Sequence, residues 1–372
     1  MYSYHLILSL FYVLYSLILP FPSNSLVSHA VFSATQCLDT MATVVEVCKD
    51  DANAISKLET LVAPLVYKIF SSGDEAIEYV DNAIELIGLL SYYPETISET
   101  LWQCFGPMLE AVDDWAWDYM MEFSSPITNF IAKGTAIFLQ GNYNGKSFLD
   151  VVLALCQKAI EHDTSEYERE AKSAGTILNC IVVCCKGGGY TIDPIIAPIM
   201  ELVISRLPHC KSFGLRSRLL CTAMGVVVYN PEGACEFYRN VPEVEALVFE
   251  TLFTSLPRIY RSSQQQVCIA AFSSLLALPP ASLPTYLQSN VQALMTFSIR
   301  LISLLEENDE EEGDYEDEEG EEEEEEEEEV SSPPKHNICG VVLSLFLYRR
   351  VHLFYFCKQV TSFSFSWIFV TP

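Results

Sequence analysis

The sequence predicts an all-α protein, an α-solenoid of HEAT- or armadillo-type helical repeats followed by a disordered acidic loop. Three observations predict it. Apolar residues recur at helical spacing from about Cys37 to Leu305, strand signals are nearly absent, and helices taken in pairs begin roughly 40 residues apart. The predicted helix starts fall near residues 37, 53, 74, 94, 113, 126, 146, 165, 190, 213, 242, 262 and 283, with short breaks at Gly, Pro, Asn and Asp.

The elements follow from local pattern. Leu58, Leu61, Val62, Leu65 and Ile69 fall on one helical face, as do Ile77, Val80, Ile84 and Ile87. Ser165 with Glu168 reads as a capping box before a helix carrying Ile177, Cys180, Ile181 and Cys184. Asp193 is placed to cap a helix whose first turn holds Pro194, with Ile195, Ile196, Ile199, Leu202 and Val203 as its stripe. Each such unit buries its stripe against its neighbours and leaves an extended surface for a partner, so the architecture points to binding before catalysis.

The chain has 372 residues and a formal charge of −29, from 50 acidic and 21 basic residues. Twenty of the 24 residues from Glu306 to Glu329 are acidic, so the rest of the chain reads as mildly acidic. No basic cluster is present to neutralise phosphates, which excludes direct nucleic-acid binding. The acidic run is a solvated spacer, since like charges at that density repel and only Tyr315 offers apolar surface. It is equally suited to attract basic proteins by long-range steering. The candidate binding residues are therefore Glu310, Glu311, Glu312, Asp314, Asp317, Glu321, Glu322, Glu323, Glu324, Glu325, Glu326, Glu327, Glu328 and Glu329.

The chain divides into four stretches. Residues 1–36 begin with an apolar run, Leu6 to Leu19, which reads either as a secretory signal lacking its basic start or as a non-native beginning. Residues 37–305 are the repeats and 306–337 the acidic tract and linker. Residues 338–372 are rich in Phe, Leu and Val, but Arg349, Arg350 and Lys358 interrupt them short of the ~18 clean apolar residues of a spanning helix. Thirteen cysteines, set mostly in apolar helical patterns, read as free thiols of a reducing compartment.

Catalytic and metal sites are not expected, and no cofactor is called for. Cys180, Cys184 and Cys185 lack the second ligand pair that tetrahedral zinc needs and read as core thiols. Lys186-Gly187-Gly188-Gly189 lacks the Lys-Ser/Thr of a phosphate loop and reads as a helix stop. The six histidines are scattered outside any catalytic frame. Asp113 and Asp114 read as N-terminal helix charges, with Trp115, Trp117, Tyr119 and Met120 either packing residues or an exposed aromatic patch for a peptide.

Several phrases carry a family resemblance. They are Glu99-Thr-Leu-Trp-Gln-Cys-Phe-Gly-Pro-Met-Leu109, the stretch Ala171 to Gly187, the stretch Asp193 to Leu207, Val227-Val-Tyr-Asn-Pro231 and Gln266-Val-Cys-Ile-Ala-Ala-Phe272. In order and spacing they resemble the C-terminal half of importin-β superfamily nuclear transport receptors, closest to the importin-seven and importin-eight branch, which carries an acidic loop after the same helices. The resemblance implies a HEAT-repeat receptor for nuclear import of basic cargo such as ribosomal proteins and histones. It also implies Ran GTPase and nuclear pore proteins as partners, with action in cytoplasm and nucleus and at the nuclear envelope. The family's main Ran contact would lie upstream of the matched stretch. The competing expectations are a secreted or membrane-tethered helical protein and a helical scaffold unrelated to transport.

Overall fold

A computed structural model describes residues 27–163, 167–185, 191–259 and 261–311. The chain falls into two compact units, one of Met1–Ile195 with His209–Leu215, the other of Ile196–Pro208 with Arg216–Pro372.

In the first unit the helices are α1 (Val27–Val47), α2 (Ala52–Phe70), α3 (Val80–Tyr92), α4 (Glu99–Asp114), α5 (Met120–Lys133), α6 (Thr135–Gln140), α7 (Phe148–His162) and α8 (Arg169–Cys184). They pack in two layers: α1, α3, α5 and α8 in succession form one, and α2, α4 and α7 the other. That alternation is what a helical-repeat array requires, because each helix stripe is covered by the helices before and after it in its own layer and by those of the facing layer. Of the predicted stripes, Leu58, Val62, Leu65, Ile69, Val80, Ile84 and Ile87 are buried, while Leu61 is half-buried and Ile77 is half-buried in the 3-10 turn Gly73–Tyr79 before α3.

The aromatic centre of this unit is Trp102 and Phe105 of α4 with Phe130 of α5 and Phe148 of α7. The Phe105 and Phe130 rings stack with centroids 4.7 Å apart, and Trp102 meets Phe130 edge-on at 4.9 Å. Both Phe105 and Phe130 are fully buried, so the cluster joins the two layers through dispersion and apolar burial. A two-residue hairpin, β1 (Asn142–Tyr143) and β2 (Lys146–Ser147), leads into α7. Asn144 and Gly145 turn it with φ of 52° and 77°, the left-handed pair such a tight turn demands. Its Tyr143 ring lies so close over Gly106 that a Cβ there would come within 2.2 Å of it.

The second unit holds most of α9 (Asp193–Arg206) and α10 (Phe213–Tyr229), and then α11 (Pro231–Asn240), α12 (Pro242–Ser255), α13 (Ser262–Leu276), α14 (Thr285–Ser289) and α15 (Val291–Glu311). Here α11, α13 and α15 pack in one succession, and α12 packs with α14. Phe253 of α12 stacks on Phe297 of α15 at 5.3 Å and on Tyr286 of α14 at 6.5 Å.

Three local expectations are corrected. No helix begins near 113: Asp113 and Asp114 end α4, and the chain breaks through a 3-10 turn at Trp117–Tyr119. No helix begins near 126 either, because Pro126 lies inside α5. The reason is that Pro is tolerated in these helices at Pro64, Pro107 and Pro126, so it does not mark their starts. Glu168 is not the far end of a capping box; it is itself the residue before α8, at φ 51°, and its side chain serves another helix. The carboxylate of Asp163 instead accepts from the Ala171 N–H in the first turn of α8, at 3.1 Å.

Among the described residues no helix is long and apolar enough to cross a membrane. The apolar run 6–19 and the segment 338–372 lie outside the described residues.

Candidate binding surface

Hydrogen bonds between successive repeats recur at a nearly constant distance along the chain. Asn82 donates to Asp39 (2.5 Å), Ser98 to Glu59, Cys104 to the Ala63 carbonyl (3.4 Å) and Asn129 to Ser91 (3.1 Å), steps of 43, 39, 41 and 38 residues. In the second unit the Leu287 N–H donates to Glu245 (2.9 Å), a step of 42. The spacing matches the roughly 40-residue period read from the sequence.

Two of these contacts share a design. Ser98 caps α4 by accepting from the Leu101 N–H at 3.1 Å, while its hydroxyl donates to Glu59. Ser212 caps the start of α10 by accepting from the Leu215 N–H at 3.2 Å, while its hydroxyl donates to Glu168 at 2.8 Å. In each case a buried Glu orients the hydroxyl that satisfies a first-turn N–H. Lys133 does the converse at a helix end. Its ammonium reaches the carbonyls of Ser91 (2.9 Å), Tyr92 and Pro94 (2.8 Å) at the end of α3, and burial pulls its pKa down to about 8.

Charge is distributed unevenly over the repeats. Residues 37–163 carry 20 Asp and Glu against six Lys, whereas residues 164–305 carry ten against eleven Lys and Arg. Part of this surplus lies on α1, α3 and α5, where Asp39, Glu46, Asp81, Glu85 and Glu122 are joined by Glu170 of α8. Glu85 on α3 has its carboxyl raised by burial and then by Asp39 and Glu46 of α1. Glu122 on α5 is raised by burial and by Asp81 of α3 and Glu170 of α8, with Arg169 opposing. Burial also raises Asp81 itself, and Glu170, next to Asp163 and Asp118, is pushed the same way. These carboxylates, raised first by burial and some of them further by one another, form an acidic strip running across four helices.

The other predicted features sit as follows. Trp115, Trp117 and Tyr119 are half-buried and Met120 is fully buried. The Lys158 ammonium lies 4.0 Å from the Trp117 ring centroid and bonds Asp113, so the ring is covered by a cation. Cys180 and Cys185 are buried and Cys184 is partly exposed. No group of three or more His, Cys, Asp or Glu able to hold a metal occurs among the described residues. The acidic residues predicted to bind partners, Glu312, Asp314, Asp317 and Glu321 to Glu329, lie outside the described residues, and Glu310 and Glu311 fall in the last turn of α15 without described side chains. The strip on α1, α3, α5 and α8 was missed because the acidic run dominated the count. A split of the charge at residue 163 shows the acidic excess of residues 37–163 but not the face on which these carboxylates meet.

Paired helices that stack layer by layer, held by a recurring polar step, define a helical-repeat protein of the HEAT type. The comparisons agree. Over 287 residues, 75% of this chain, it is 25% identical to the probable importin-7 homolog of Dictyostelium discoideum, and over 263 residues, 68% of the chain, it is 24% identical to the importin beta-like SAD2 homolog of Arabidopsis thaliana. The chain is thus similar over most of its length to two importin-β-type proteins. It spans about a quarter of the length of these relatives. No family model and no solved structure matches it.

Proposed function

We propose that the chain is part of a nuclear transport receptor and that it binds basic cargo proteins through charge on its repeats. The observation that carries this reading is the strip of carboxylates on α1, α3, α5 and α8, on a chain similar to two importins. Closely set carboxylates that repel one another gain most from a cationic partner, which relieves the repulsion and releases counterions. Ribosomal proteins and histones have the matching charge. The run Glu306 to Glu329 adds a second, longer-range attraction to the same partners. Ran GTPase would release the cargo and nuclear pore proteins would admit the complex, with passage between cytoplasm and nucleus as the result.

The test is binding of the full chain to core histones, followed by anisotropy over a range of NaCl concentrations. Affinity should fall as salt rises. The triple substitution Asp81→Asn, Glu85→Gln and Glu122→Gln should weaken binding about tenfold and flatten the salt slope. Deleting residues 306–329 should lower the association rate more than it raises the dissociation rate. Unchanged affinity and slope in both variants would overturn the reading.

A further inference from the structure

We propose that Cys180 and Cys184 are a peroxide-sensitive thiol pair that closes reversibly to a disulfide in the last turn of α8, a modification site independent of cargo binding. Their Sγ atoms are 3.8 Å apart, with Cys180 donating to Cys184. Residues four apart on a helix have Cα atoms ~6.2 Å from one another by helix geometry, within the range of about 4.4–6.8 Å that disulfides span. The pair occupies the end of the helix, which stops at Cys184, so the small shift needed to bond the sulfurs is taken up where backbone bonds already run out.

The two thiols are unequal in the way such chemistry needs. Cys184 is partly exposed and can meet a small oxidant, while Cys180 is buried behind it, 3.6 Å from the Thr128 carbonyl of α5. The hydrogen bond from Cys180 lowers the Cys184 pKa against the opposing effect of burial, so the exposed sulfur carries more thiolate. Cys221 and Cys268 form another hydrogen-bonded pair, but both are fully shielded and burial helps hold the Cys221 thiol up. Cys104 and Cys156 are buried thiols raised in the same way.

The reaction balances with hydrogen peroxide as oxidant. The Cys184 thiolate attacks one peroxide oxygen, the O–O bond breaks, hydroxide leaves, and Cys184 becomes a sulfenic acid. The Cys180 sulfur then attacks the Cys184 sulfur. An S–S bond forms, the S–O bond breaks, and the departing hydroxide takes the Cys180 proton to leave as water. The two sulfurs together lose two electrons, which reduce the peroxide. Closure removes the one Cys180 thiol proton, which has both Cys184 Sγ and the Thr128 carbonyl within reach, loosening one tie between α5 and α8, and a dithiol reductant reverses it.

The experiment uses the reduced full chain exposed to hydrogen peroxide, blocked with N-ethylmaleimide and digested with trypsin. The peptide Ser173 to Lys186 holds Cys180, Cys184 and Cys185. After oxidation it should carry one maleimide, on Cys185, with two hydrogens fewer, and dithiothreitol before blocking should restore three. Its oxidation should be at least about tenfold faster than that of Cys221 and Cys268. Cys185→Ser should still form the bond. Cys180→Ser should stop at a sulfenic acid on Cys184 that dimedone traps. Three maleimides on the native peptide after peroxide, or a disulfide that persists in Cys180→Ser, would overturn the proposal.

Discussion

The Glu168 carboxylate accepts from both the backbone N–H and the hydroxyl of Ser212 at 2.8 Å, across 44 residues of chain. It also takes the Lys211 N–H at 3.1 Å. One buried side chain therefore gathers three donors at the start of α10, and it does so from a residue forced into the left-handed region at φ 51°. Positive φ is unfavourable for Glu, so its persistence is explained by the bonds it makes.

Glu168→Ala should destabilise the first unit by about 3 kcal/mol, since it leaves buried donors without an acceptor. Glu168→Gln should recover part of the loss, because it keeps one acceptor oxygen. Urea unfolding followed by circular dichroism measures both, and equal midpoints for Ala and wild type would refute the assignment.

Gly106→Ala should displace the hairpin. The added methyl meets the Tyr143 ring, which must swing away together with its strand. A loss of about 1–3 kcal/mol is expected, and the double substitution Gly106→Ala with Tyr143→Ala should cost less than the two single losses combined.

Phe105→Ala removes the ring at the centre of the aromatic cluster and should cost about 3–5 kcal/mol. A comparable loss from Phe32→Ala, whose side chain is 60% exposed, would contradict the placement of the core.

Lys133 gives a pH signature. Its pKa falls to about 8 in the folded chain and returns to 10.5 on unfolding, so between those values the unfolded state holds more protons. The contribution of Lys133 to stability therefore rises with pH from about 8 to 10.5, and below 8 its full desolvation cost remains. Subtracting the profile of Lys133→Met from that of the native chain isolates the effect, and a flat difference would dismiss it.

The carboxylates have the opposite sign. Folding raises the pKa of Glu85 and Glu122, so the folded chain binds protons first, and the stability they give at low pH is lost as pH rises through their raised values. At pH 7 Glu122→Gln should leave the chain equally or slightly more stable while weakening its hold on a basic protein. That opposition of stability and binding distinguishes a binding surface from a structural one.

Most of the fold was legible because burial follows helical period: most members of the α2 and α3 stripes are buried as read, and the starts of α10, α12 and α13 at residues 213, 242 and 262 coincide with those predicted. What was not legible depended on distance. Nothing near Glu168 in sequence announces a partner at Ser212, and the Ser165–Glu168 spacing gave a plausible local role that tertiary bonding overrode. The hairpin was readable in principle, since Asn144-Gly145 between Tyr143 and Lys146 is a strong turn signal, but so short a ladder has no period of its own. Net charge hid the acidic strip because it averages over faces that folding separates.

The recurring step between bonded repeats also sets the currency in which the chain can change length. Removing one whole step of about 42 residues brings each cap opposite an equivalent acceptor. Removing half a step leaves every cap beyond the cut facing the wrong helix. Where the step lengthens to 52 residues, between Thr128 and Cys180, the surplus coincides with the hairpin at Asn142–Ser147, a connection rather than a helix. Insertions of any size are thus admitted between helices, while deletions within them are admitted only in whole units, and lineages of this chain should differ in loop length and repeat number but not in fractions of a repeat.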